Sequence, residues 1–376
     1  MGDTGPTFKV LDTHRNHNIY LGRQPLFPLE LILCILQHLE GEYATLLHLS
    51  STCKLLHTEA RPLLYRSLGR NGGPPPKCFI KNPSLAKFMR EITYVQHINV
   101  KPSQTMEQIL SGSFAHRLPN LKLLTVTFER RLPKNFLSKG GFRLEELSLY
   151  GDLFPSDLET SLRHQNNLKK LRTMDWNRGS RPIPLSICPD LHTLEGDISV
   201  IEVFLPLHNI RTLIWELWYY DSNQDQLVNG LDHLARGLRG LKKLYYPLAA
   251  NLPTLNSLTK HLTNLQYLAI EHSTMMGKDS IREYSILTDL SQDISAILHL
   301  RGLVLSSSHS YTPSDITNDF MESLFQACPR LEFIDVEMHG LYYPRQFTRW
   351  IRGSSGELCT KRDVSLVYRN LADGFY

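Results

Sequence analysis

Cysteine is sparse in this 376-residue chain: there are six, at positions 34, 53, 78, 188, 328 and 359, and no two form a C-x-x-C pair. That spacing offers neither a zinc site nor a disulfide framework. No apolar run approaches the roughly 18 residues needed to span a bilayer, and Leu31 to Leu36 is already broken by Gln37 and His38. The first 22 residues hold His14, Arg15 and His17 and lack the apolar stretch of a secretory signal. An excess of one charge is missing too. The balance of 41 basic to 37 acidic side chains gives +4, with no clustered basic face visible in sequence order to suggest nucleic acid. Short basic runs such as Arg130-Arg131 and Lys169-Lys170 read as solvated surface. The sequon-like Asn82-Pro83-Ser84 is blocked by its proline. These absences predict a chain of a reducing, intracellular compartment, cytoplasmic or nuclear, with no membrane or nucleic-acid partner.

Catalytic phrases are also absent. There is no H-E-x-x-H, G-x-S-x-G or G-x-x-x-x-G-K-[ST], and the 16 histidines are scattered. No catalytic residue, metal ligand or cofactor is expected.

What the chain has is leucine, in two patterns. Behind Pro28 and Glu30, which suit a helix start, Leu29, Ile32, Leu36 and Leu39 recur at helical spacing, with Leu31 and Ile35 widening the stripe and Gly41 as a stop. A second helical stretch, near Tyr43 to Ser51, holds Leu46, Leu47 and Leu49. A third runs through Leu55, Leu56 and Ala60 until Pro62 interrupts it. Three short helices this rich in leucine expose more apolar surface than they can bury alone, and each wet leucine forgoes about 1.5–3 kcal/mol.

The second pattern follows the break Asn71-Gly72-Gly73-Pro74-Pro75-Pro76. Leu121-x-x-Leu124-x-Val126 and Leu144-x-x-Leu147-x-Leu149 are followed by copies starting at Leu168, Leu191, Ile210, Leu241, Leu265, Leu300 and Leu331, at steps of 19 to 35 residues, with a possible first copy at Met89. Several steps fall within the 20–29 residues of leucine-rich repeats. The third apolar position is degenerate, with Thr173, Gly196, Trp215 and Tyr246 among its occupants. Helical segments between the copies, Leu227 to Leu238, Leu255 to Leu262 and Ile316 to Ala327, the last with start signals at Ser314 and Asp315, predict an α/β solenoid of parallel strands alternating with helices. The cysteines of Cys188-Pro189 and Cys328-Pro329 read as small buried thiols, each closing a helix.

In such strands the residues alternating with the buried leucines form the other, concave face. They include Tyr150, Lys170, Arg172, Glu195, Asp197, Glu216, Trp218, Tyr245, Tyr267 and Glu271, with Asp335 and Glu337 further on. These are the candidate target-binding residues. Trp215 and Trp218 read either as interface anchors or as fillers of gaps between irregular repeats.

Phe27-Pro28-Leu29-Glu30-Leu31-Ile32-Leu33-Cys34-Ile35-Leu36-Gln37-His38-Leu39, with Leu46-Leu47-His48-Leu49-Ser50-Ser51-Thr52-Cys53-Lys54 and Ala60-Arg61-Pro62-Leu63-Leu64-Tyr65, resembles the fungal-type F-box, departing at Phe27 and Leu56. The resemblance covers about 42 residues. It implies a small all-α module of three helices docking a Skp-type adaptor, and through it cullin and RING subunits of a ubiquitin ligase, with the solenoid as substrate receptor. Pro28, Leu29, Leu31, Ile35, Leu36, Leu39, Leu46 and Leu49 are the adaptor contacts it implies, although any of them could instead pack inside the chain. The other reading is a non-catalytic scaffold whose F-box acts outside a ligase or only caps the repeats. The expected division is a tail at 1–22, F-box at 23–68, linker at 69–84, solenoid at 85–340 and a cap or tail at 341–376.

Overall fold

The computed structural model describes residues 28–69, 75–95, 108–109, 112–127, 137, 140–150, 155–174, 182–216, 230–248, 252–272, 283–307, 317–339, 346–352 and 358–364. The chain divides into two compact units, Met1–Leu64 and Tyr65–Tyr376. Phe27, the Gly/Pro break and Trp218 lie outside the described residues.

The first unit holds three helices, α1 (Leu29–His38), α2 (Tyr43–Ser50) and α3 (Lys54–Leu64), with α3 packed on both others. Pro28 stands one place before the first turn, extended at φ −54°, ψ 142°, with Glu30 inside that turn. Gly41 follows the helix at φ +97°, a backbone that glycine adopts without steric cost. Pro62 does not end α3 where the sequence suggested; it sits inside the last turn and the helix runs on to Leu64. So near a helix end, the N–H that proline lacks is one bond lost, not a break. Leu36, Leu46, Ala60 and Leu64 are buried.

The second unit is built on one sheet. Among the described residues it has thirteen strands in chain order, β1 (Ser67–Leu68), β2 (Glu91–Val95), β3 (Leu123–Thr127), β4 (Glu146–Tyr150), β5 (Lys170–Thr173), β6 (Thr193–Gly196), β7 (Thr212–Trp215), β8 (Lys243–Leu248), β9 (Tyr267–His272), β10 (Gly302–Ser307), β11 (Phe333–His339), β12 (Gln346–Arg352) and β13 (Leu358–Val364). Strands β1 to β11 are parallel. The sheet therefore starts at Ser67, ahead of the Gly/Pro break, and not at residue 85. Its last two strands, in the stretch expected to be a cap or tail, pair antiparallel beyond β11.

Register explains the leucine pattern. Ile92, Leu124, Leu147, Leu171, Leu194, Leu213, Leu244, Leu268, Leu303 and Ile334 stand side by side on successive strands. All are buried, in one cluster with Leu162, Val200, Phe204, Leu258, Ile294 and Leu324 of the intervening helices. The degenerate third position obeys packing. A β-carbon on Gly196 would lie 2.6 Å from the Thr173 carbonyl oxygen and 2.8 Å from Val200 Cβ, so only glycine fits. Its neighbour in register, Trp215, is fully buried against Tyr246, edge to face at 5.4 Å. Trp215 is thus a core residue.

The helices differ in detail from the sequence signals. Thr317, not Ser314 or Asp315, caps the helix Asn318–Ala327, its hydroxyl accepting from the Phe320 N–H; Ile316 lies outside the described residues. The stretch expected as a helix from Leu227 is described only from Gly230, as a 3₁₀ turn Asp232–Leu234 and the helix Ala235–Gly240. Leu255 to Leu262 shortens to Leu255–Thr259. Cys328 follows its helix as expected, whereas Cys188 closes a turn at φ 54°. Each thiol donates to the last carbonyl of the preceding repeat's helix, Leu162 at 3.7 Å and Ile294 at 3.3 Å. Burial pushes them up to about 12 and about 11, which keeps both as neutral packing groups. Among the described residues no helix is long and apolar enough to cross a membrane.

Gly196→Ala should destabilise the protein by about 1–3 kcal/mol, because neither the Thr173 carbonyl nor the packed Val200 can retreat freely. Urea unfolding measures this directly; an unchanged midpoint would contradict the close approach.

Candidate functional site

Two sets of residues carry the functional expectations, one on each unit. On the first unit the expected adaptor contacts divide. Leu36 and Leu46 point inward at 1% exposure, so they hold the three helices together. Leu39 and Leu49 are half-buried, and Pro28 is exposed. Leu29, Leu31 and Ile35 stand in solvent at 41%, 52% and 54%. Leu31 and Ile35 are one turn apart and so share a face of α1. Leu47, which the sequence reading passed over for Leu46 and Leu49, is 45% exposed on α2. A one-residue phase error in an eight-residue helix suffices for that miss, since Leu46, Leu47 and Leu49 are all leucine.

On the sheet, the face opposite the leucine ladder gathers six of the expected residues into one charged group. Arg172 on β5 lies between Tyr150 of β4, with its guanidinium 5.0 Å from the ring centroid, and Glu195 of β6, with which it forms an ion pair. Its other arm is 3.9 Å from Glu216, just past β7. Lys170 stands two residues before Arg172 on β5, 3.9 Å from Glu146, and its charge reaches Glu195; the charge of Glu271 reaches Glu216.

Burial dominates the electrostatics. Glu195 is 2% exposed, and its pKa is pushed up to about 8, first by desolvation and then by the nearby Glu216, with Arg172 opposing. Glu216 is shifted upward as well, again first by burial, with Glu271 adding to it and Arg172 opposing. Tyr150 is raised by burial and by Glu195. One guanidinium thus serves two carboxylates that repel each other, and near neutral pH the pair retains a proton. The group holds no nucleophile aligned with a base. It can take up a cationic side chain in exchange for that proton, or stay closed and lock β4 to β7 together.

The remaining candidates lie elsewhere. Asp197 is not part of the face: it caps the helix Ile198–Phe204, accepting from Val200 N–H at 3.1 Å and from the Ser199 hydroxyl, and it is buried. A carboxylate one residue past a strand and three before a helical N–H is also an N-cap signature, so the signal for the cap was present in the sequence. Tyr245 packs on a small apolar group formed by Ala269, Val304 and Phe347. Tyr267 stacks beside Phe333 at 6.4 Å. Asp335 and Glu337 are buried, and Asp335 accepts both N–H groups of a bidentate contact with Arg349, at 2.7 Å each, while Arg349 lies 4.3 Å over the Phe333 ring. The face expected to lie open is therefore largely closed over β6 and from β9 to β11.

No family model and no curated protein matches the chain. Among solved structures it is similar to an internalin from Listeria monocytogenes str. 4b F2365, at a TM-score of 0.31 and 10% identity, covering 68% of this chain and 69% of that one. A likeness that faint informs neither activity nor partner.

The raised carboxyl of Glu195 makes stability pH-dependent with a definite sign. Between its unfolded value near 4.5 and about 8 the folded chain holds the extra proton, so stability falls as pH rises through that window. Glu195→Gln should flatten the fall between pH 5 and pH 8 by at least about 1.4 kcal/mol, the worth of one pKa unit. Denaturant titrations at the two pH values measure it, and identical slopes for variant and wild type would refute the buried proton.

Proposed function

We propose that this chain is the substrate-recognition subunit of an SKP–cullin–F-box ubiquitin ligase. In this reading the first unit docks a Skp-type adaptor, and the repeat unit presents a target protein. The observation that carries it is the exposed apolar face of a small helical unit. Leu31 and Ile35 share a face of α1 and stay wet, as do Leu29 elsewhere on that helix and Leu47 on α2, while Leu36 and Leu46 fill the interior. That is the division expected of a docking motif: one set of leucines folds the module and another awaits a partner. The F-box-like phrases at 27–39, 46–54 and 60–65 run through the same helices.

The mechanism is positional. The chain contributes no catalytic group, cofactor or metal; cullin and RING subunits recruited through the adaptor supply the ubiquitin chemistry. Holding a target beside them raises its effective concentration. For the target, the reading keeps Tyr150, Lys170, Arg172, Glu216, Tyr245, Tyr267 and Glu271 as contacts, all half-buried among the described residues.

Leu31→Asp with Ile35→Asp should weaken binding of a purified Skp-type adaptor by a hundredfold or more, since each exposed side chain would forgo about 1.5–3 kcal/mol of burial. The fold should survive, because surface changes rarely exceed about 0.5 kcal/mol each. Leu36→Asp, by contrast, should unfold the helices. Calorimetry with the adaptor reads the first outcome and circular dichroism the second; a wild-type chain that fails to bind the adaptor ends the proposal.

A further inference from the structure

A basic row runs along the edge of the sheet where the strands begin. Each strand from β1 to β10 is preceded by a residue whose carbonyl accepts two N–H groups from the next repeat. Arg90 receives Lys122 and Leu123 at 2.8 and 3.0 Å, and Arg211 receives Lys242 and Lys243 at 2.8 and 3.0 Å. This contact puts one side chain per repeat in register, at the roughly 4.8 Å spacing of neighbouring strands. The side chains in that place include Arg90, Lys122, Lys169, Arg211, Lys242 and Arg301, all exposed. Half-buried Arg66 begins the row. Only Glu145 and Glu332 interrupt it with negative charge, while the whole chain carries 41 basic and 37 acidic side chains.

The two acids are already used. Glu145 bridges Lys122 at 2.5 Å and Lys169 at 3.1 Å, and these contacts hold its carboxyl below the usual range. Glu332 pairs with Arg301 at 2.6 Å. Between them lies a stretch without an acid in the row, where Arg211 and Lys242 have no carboxylate partner among the described residues. They follow one another in the row, so their charges repel unless an anion lies across them. His192, the place before Arg211, is pulled below its ordinary pKa by burial first, then by Arg211 and Lys169, against a smaller opposing effect of Asp190. The local potential is therefore positive.

We propose that this edge, centred on Arg211 and Lys242, docks an acidic polypeptide segment whose carboxylates pair with the row. The observations favour a peptide over a nucleic acid. The row contains no Phe, Tyr or Trp on which unpaired bases could stack, whereas guanidinium groups at Arg90 and Arg211 suit bidentate carboxylate pairing. These residues are other than the exposed leucines of the first unit and other than the charged group around Arg172.

The full-length chain can be titrated into a fluorescein-labelled peptide of twelve glutamates, with a twelve-nucleotide single-stranded DNA as the rival probe. At 50 mM salt the wild type should bind the peptide, and more tightly than the DNA, with affinity dropping at least tenfold by 300 mM. Arg211→Glu with Lys242→Glu should weaken binding tenfold or more. Arg211→Ala with Lys242→Ala, which only removes charge, should fall between, and Lys54→Glu on α3 should stay within twofold of wild type. Equal binding by the charge-reversed variant, tighter binding of the DNA, or no binding by the wild type would each overturn the inference.

Discussion

One carbonyl oxygen in each repeat accepts two main-chain N–H groups of the next, and the rest of the second unit follows from that contact. From Arg66 to Arg301 the geometry recurs, at 2.7 to 3.4 Å. It sets the register of every parallel pair. In a strand a slip of one residue would turn the leucine ladder into solvent and the charged face into the core. Because the link is made by backbone atoms, it tolerates any side chain at the residue that provides it. Steps of 19 and 35 residues can then coexist in one sheet: the contact is made where each strand starts, whatever the length of chain between one strand and the next.

The same contact separates what sequence reveals from what it conceals. The leucines were legible because their role is local and repeated: one face, period two, a helix returning the chain to the next strand. The degenerate copies were legible only as gaps. Gly196 and Trp215 make sense together, as a position where no side chain fits beside one where a large side chain fills the interior, and neither neighbour is close in sequence. β1 was missed because two residues carry no periodicity, and β12 and β13 because they pair antiparallel and share no repeat phrase. Position along the chain also misassigned Asp197, whose carboxylate belongs to the next helix.

Alternation predicted which residues oppose the core, but not which of them water reaches. Arg172, Glu195 and Glu216 were legible as neighbours from register; the burial of Glu195 was not, since it depends on what covers the strand rather than on the strand itself. That burial changes the chemistry. An exposed glutamate would be a fixed negative charge, whereas this one shares a proton with a second carboxylate across one guanidinium. Such a group costs stability in exchange for conformational definition or for readiness to accept a cation, and these differ in whether the proton leaves when a partner arrives. The Asp335–Arg349 pair, with two 2.7 Å bonds, has the simpler role of fastening β12 to β11.

Core and surface obey different rules in both units. In the first, Leu36 and Leu46 are spent on folding, and Leu31, Ile35 and Leu47 are left over; the helical period distinguishes them only if the phase is known to within one residue. In the second, the leucine row is uniform because each residue meets its copy on the next strand, whereas the row that follows the first leucine is constrained by nothing in the interior. A position that backbone geometry repeats and packing leaves free can carry either charge. In this row Glu145 and Glu332 neutralise Lys122, Lys169 and Arg301, whereas Arg211 and Lys242 stand next to each other as like charges that repel. Like charges set side by side where the fold does not need them are what a partner of opposite sign would relieve.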